Sequence, residues 1–169
     1  HLTQLTSLTL NFSHCKSITD KGVDSLASQG LQRLTQLTSL TLNFSGCNKI
    51  KARGVDSLAS QGLQYLTQLI SLTLSFSNWD NITNKGILSL ASQGLQYLKQ
   101  LTSLTLQFSS CDNITNKGIR SLASQGLQQL LQLTSLVLDF NGCNNITDGG
   151  VDSLVSQGLQ YLTQLTSLT

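Results

Sequence analysis

The sequence predicts an α/β solenoid, a stack of near-identical coils in which each coil is one strand and one helical return. Three observations lead there. Leu8, Leu40, Leu72, Leu104, Leu136 and Leu168 advance by 32 residues each time, and Phe12, Phe44, Phe76, Phe108 and Phe140 keep the same step with no insertion. Within one copy, Leu8, Leu10 and Phe12 alternate with Thr9, Asn11 and Ser13, the period of a strand with one buried face. Further along, Val23, Leu26, Ala27, Leu31 and Leu34 fall at helical spacing, which predicts a helix or short helical turns with one apolar stripe.

Each element of the copy has a local reason. The strand carries its large apolar groups at every second position and ends near Cys15. Thr19, with Asp20 behind it, offers a helix N-cap, and Thr83, Thr115 and Thr147 repeat the offer. Gly30, Gly62, Gly94, Gly126 and Gly158 either end the first helical segment or let neighbouring backbones approach. A single copy cannot bury enough apolar surface to offset the entropy of ordering its own backbone, so neighbours must cover both of its sides. The expectation is one solenoid over 1–169, with five copies and the opening of a sixth. Neither "HLTQLTSLTL" at the start nor "YLTQLTSLT" from Tyr161 reads as a polar cap. The array is therefore expected to continue in a longer chain or to be covered end to end by other copies of itself.

The stretch "LTSLTLNFSHCKSI" from Leu5, followed by "TDKGVDSLA", resembles the leucine-rich repeat family in its cysteine-containing subclass. The regular 32-residue step is similar to arrays found in microbial eukaryotes. The resemblance implies parallel strands on a concave face and helices on a convex face. Here the copy is longer than the usual repeat, and Cys15 lies two residues further from the L-x-L than the pattern expects.

Composition removes several functional classes. Ten basic against eight acidic side chains, with no basic run, argue against a nucleic-acid partner. No apolar run is long enough to cross a membrane. There are two histidines, His1 and His14, and no glutamate, so no catalytic set converges; no enzyme activity, cofactor or metal is expected. Cys15, Cys47, Cys111 and Cys143 share one repeat position, with Trp79 in the remaining copy, and their spacing matches no zinc signature. Stacking brings them near enough for disulfides to be conceivable. Since Trp79 cannot cross-link, we favour buried or half-buried thiols acting as small hydrophobes.

The concave face is expected to carry Thr9, Asn11, Thr41, Asn43, Thr73, Ser75, Thr105, Gln107 and Asp139, with serines beside them. That surface is small, almost uncharged and repetitive, and has none of the Trp, Tyr or Arg anchors that dominate specific interfaces. It reads as a solvated face, or as a hydroxyl ladder for a repetitive ligand such as a polysaccharide or ice. Tyr65, Tyr97 and Tyr161 share another position with His1, Arg33 and Gln129, and are read as covering the helical layer. Each copy also holds an N-glycosylation acceptor: "NFS" at Asn11 and Asn43, and "NIT" at Asn81, Asn113 and Asn145. N-linked glycans there would mean a secretory route and an extracellular or cell-surface location, with the cytoplasm as the alternative. Two functions remain. The favoured one is a structural repeat protein that forms or lines an extracellular fibre; the other is a recognition module for a protein or polysaccharide partner.

Overall fold

The computed structural model describes residues 2–78 and 81–169; His1, Trp79 and Asp80 lie outside the described residues, and with them the sequence readings at Trp79 and His1. The period-2 segments form strands β1 Ser7–Asn11, β2 Ser39–Asn43, β3 Ser71–Ser75, β4 Ser103–Gln107, β5 Ser135–Asp139 and β6 Ser167–Leu168. They pair in sequence order, all parallel, in one open sheet. The register is the repeat itself, Leu8↔Leu40, Leu40↔Leu72, Leu72↔Leu104, Leu104↔Leu136 and Leu136↔Leu168. A slip of one residue would turn every leucine to solvent, so the apolar alternation pins the alignment. Backbone pairing runs past the strands, with Phe12 N–H donating to Asn43 C=O and His14 N–H to Ser45 C=O.

Beyond each strand the chain turns through a left-handed residue at one repeat position, filled by Gly46 and Gly142 but also by His14, Asn78 and Ser110. The helical stretch then begins: α1 Asp20–Ser25, α2 Ala52–Ser57, α3 Asn84–Ser89, α4 Asn116–Ser121 and α5 Asp148–Gln157. In the first four coils a π-helical turn follows, Leu26–Gly30 in the first, and every coil finishes in a short 3₁₀ turn before the next strand. The core is a column between sheet and helices. Its spine is the row Phe12, Phe44, Phe76, Phe108 and Phe140, stacked with ring centroids 5.6–6.2 Å apart.

The repeated glycine has a definite role. Gly62, Gly94 and Gly126 have negative φ, so they are not left-handed caps. A Cβ added at any of them would meet the Cβ of Ala27, Ala59 or Ala91 in the preceding coil at 3.2–3.3 Å. A side chain there would press on the preceding coil, so the glycine lets the two coils stack closely.

Helix capping differs from the sequence expectation. Thr19, Thr83, Thr115 and Thr147 do precede the helices in extended conformation, but only Thr115 bonds forward, accepting from Lys117 N–H at 3.3 Å. The caps come instead from the neighbouring coil. Asp20 Oδ1 accepts Lys51 N–H at 2.7 Å and Gly54 N–H at 2.9 Å; Asn84 Oδ1 accepts Thr115 N–H, and Asn116 Oδ1 accepts Thr147 N–H. These bonds satisfy backbone donors that a helix leaves orphaned, and they join coil to coil. Ala52 stands at this position in the second coil and offers no acceptor. Ala52→Asn is therefore expected to stabilise the chain by about 0.5–1 kcal/mol, read as a higher urea midpoint with an unchanged slope. An unchanged midpoint would show that the cap does not transfer to the third coil.

Candidate recognition face

The outward residues of the strands fall into straight rows. One is Thr9, Thr41, Thr73, Thr105 and Val137; the next is Asn11, Asn43, Ser75, Gln107 and Asp139. The expected face residues thus share one side of one sheet, with rows repeating at roughly 4.8 Å from strand to strand, although Ser75 is buried there. The second row behaves differently along its length. In the first two coils the asparagine closes a local turn, Asn11 Oδ1 accepting Ser13 N–H and Asn43 Oδ1 accepting Ser45 N–H, both at 3.0 Å. From the third coil the side chains bond across coils: Ser75 Oγ donates to Gln107 Oε1 at 2.5 Å, and Ser109 Oγ donates to Asp139 Oδ2 at 2.6 Å. Asp139 also accepts Asn141 N–H at 2.9 Å. Its carboxylate is the charge on an otherwise neutral row, and two hydrogen bonds hold it in place. Two separate polar pairs, Ser75–Gln107 and Ser109–Asp139, therefore lie at the ends of β3–β5, and Ser75 is itself buried.

The sequons lie at two places. Asn11 and Asn43 sit at strand ends, whereas Asn81, Asn113 and Asn145 lie in the loops before the helices. Asn81 Nδ2 donates to Asn48 C=O at 2.5 Å, and Asn145 Nδ2 donates to Asp112 C=O at 2.7 Å. Those two amides act as clasps between coils, a role their sequon pattern does not reveal. The cysteines form no disulfide with one another: Cys47, Cys111 and Cys143 are buried as expected, whereas Cys15, in the first coil, is exposed. They do more than fill space, because Cys47, Cys111 and Cys143 Sγ each donate to the carbonyl of a phenylalanine one coil back, Phe12, Phe76 and Phe108, at 3.0–3.3 Å. Burial raises the thiol pKa of Cys47 and of Cys143, which keeps both as hydrogen-bond donors near neutral pH.

Tyr65, Tyr97 and Tyr161 end the 3₁₀ turns and are 40–44% exposed. On the helical side, Thr19, Asp20, Lys21, Asp24 and Arg53 line a shallow hollow of about 370 Å³. Among the described residues no three His, Cys, Asp or Glu side chains gather to hold a metal ion, and no helix is long and apolar enough to cross a membrane.

The leucine-rich repeat family model matches residues 4–27, 36–59, 100–123 and 132–155, together more than half of the chain. A solved structure titled as leiomodin-1 actin-binding site 2 is similar in fold, with a TM-score of 0.63 at 18% identity over 96% of this chain and 81% of that one. The leucine-rich repeat protein LegL7 of Legionella pneumophila aligns with a TM-score of 0.45 at 16% identity, over 97% of this chain and 56% of that one. No curated protein matches the sequence.

Proposed function

The chain belongs to the leucine-rich repeat family, and from that premise we propose that it is a non-catalytic recognition module that binds its partner across the outer strand face. The observation that carries this reading is that the outward row changes from coil to coil and that its Gln107 and Asp139 are each held by a serine of the neighbouring coil, Ser75 and Ser109. The inward leucines repeat unchanged, while the outward row changes from Asn to Ser, Gln and Asp. Gln107 is tied to Ser75 and Asp139 to Ser109, so each loses less freedom on binding than an unbonded side chain would. The leiomodin fragment, named for binding actin, supports recognition as a use of this fold and says nothing of the partner here. Asp139 favours a ligand that places a cation or a donor over β5.

A filament of stacked chains is the weaker reading. Ala27, Ala59, Ala91 and Ala123 each pack under the glycine of the next coil, but the fifth coil carries Val155 at that position. A further coil of the same wording would meet its branched side chain. The binding reading is tested with arrays of peptides and oligosaccharides, probed with the wild type and with a Gln107→Ser, Asp139→Ser variant. Serine is what the chain itself uses at Ser75, so folding is expected to survive. Ligands that lose about tenfold or more in affinity support the reading. Binding that ignores both substitutions overturns it.

A further inference from the structure

We propose that the edge of the solenoid where the 3₁₀ turns run into the strands docks an amphipathic segment of a partner protein whose polar side chains are acidic. This surface is separate from the strand face, and its test does not depend on Asp139. Large apolar side chains concentrate there: Tyr65, Tyr97 and Tyr161 are 40–44% exposed, Ile70 45% and Leu131 54%. Single exposed apolar residues need no explanation, but several gathered on one edge do.

The fold does not require them. The tyrosine position is filled by Arg33 and Gln129 in other coils, and the Leu131 position by Thr35, Thr67, Lys99 and Thr163. Ile70 replaces a threonine that does structural work elsewhere. Thr38, Thr102, Thr134 and Thr166 each donate Oγ1–H to the carbonyl of the equivalent residue one coil back, at 3.1–3.3 Å. Isoleucine gives up that bond and exposes a branched apolar group in its place. The positions are also continuous from coil to coil. Lys99 Nζ reaches Gln129 Oε1 at 3.0 Å, so the turn after one 3₁₀ segment meets the 3₁₀ end of the next coil.

Charge selects the partner. Segments 31–38, 63–70, 95–102, 127–134 and 159–166 contain Arg33 and Lys99 and no carboxylate, whereas every aspartate of the chain lies elsewhere. Tyrosine supplies a broad apolar face with a polar tip at small entropic cost, which is why it recurs as an interface anchor. An apolar stripe that carries two cations and no acid fits an acidic amphipathic segment and repels a basic one.

The test uses the full chain and a variant carrying Tyr65→Gln, Ile70→Thr, Tyr97→Gln and Leu131→Thr. Each new residue is one the chain already uses at the equivalent position, so the variant should melt cooperatively like the wild type. The probes are two labelled helical peptides of about 20 residues, one of Leu, Ala and Glu and the other with Lys for Glu, followed by fluorescence anisotropy at about 0.1 M salt. The acidic peptide is expected to bind the wild type about tenfold more tightly than the basic one, and to lose about tenfold or more on the variant. Equal binding of the two peptides, or binding that the variant leaves intact, would overturn the proposal. So would sedimentation showing a wild-type dimer that the variant dissolves, since the edge would then belong to a second copy.

Discussion

Leu72→Ala is expected to lower stability by about 2–5 kcal/mol, the cost of a cavity that the surroundings cannot close. Leu72 is fully buried in β3, and its register partners Leu40 and Leu104 are buried on either side. Loss of the side chain removes contacts to two coils at once, and in a stack held by nearest-neighbour contacts the middle coil joins both halves. Urea unfolding followed by circular dichroism gives the value. The control is Leu168→Ala at the same repeat position, where the side chain is 54% exposed and the change should stay within about 0.5 kcal/mol. A loss below about 1 kcal/mol at Leu72 would remove it from the core.

Much of this core was legible because the signal is repeated. A step of 32 residues and a period-2 run are both visible without knowing how the chain folds, and they place Leu8, Leu40, Leu72, Leu104 and Leu136 in one column. What escaped the sequence lies between coils. The Thr19-type caps were sought within one segment, as caps usually are. The acceptor for Lys51 and Gly54 is Asp20, more than thirty residues away in sequence but adjacent in the stack. The recurrence of Asp20, Asn84 and Asn116, with a gap at Ala52, was the available sign. Cysteine was read as a small hydrophobe because its donor role needs the Phe12 carbonyl of another coil.

The binding surfaces divide the same way. Alternation was sufficient to place Thr9, Asn11, Thr41, Asn43, Thr73, Ser75, Thr105, Gln107 and Asp139 on one face. It could not show that Ser75 and Gln107, or Ser109 and Asp139, bond across strands, because that depends on side-chain reach in the stacked register. The tyrosines were read as covering the helical layer; they end the 3₁₀ turns and are 40–44% exposed, a degree of exposure that the repeat position alone does not signal.

Ala123→Val is expected to cost about 1–3 kcal/mol, while Val155→Ala, the reverse change at the equivalent position of the next coil, should change stability by no more than about 0.5 kcal/mol. Ala123 is fully buried, and a Cβ placed on Gly158 would lie 3.1 Å from its Cβ and 3.2 Å from its Cα. The two coils are already in contact there through the smallest side chains that exist. Two further methyl groups have no space, so the fourth and fifth coils must part and loosen the leucines between them. Val155 is 51% exposed and presses on no following glycine among the described residues. Its replacement by alanine removes little buried surface and slightly favours the helix. Urea midpoints for both variants at one pH, taken with the wild type, give the contrast. Equal effects would mean that the alanine–glycine contact does not set the coil spacing, whereas the expected asymmetry shows that this repeat position must be small where a glycine packs on it.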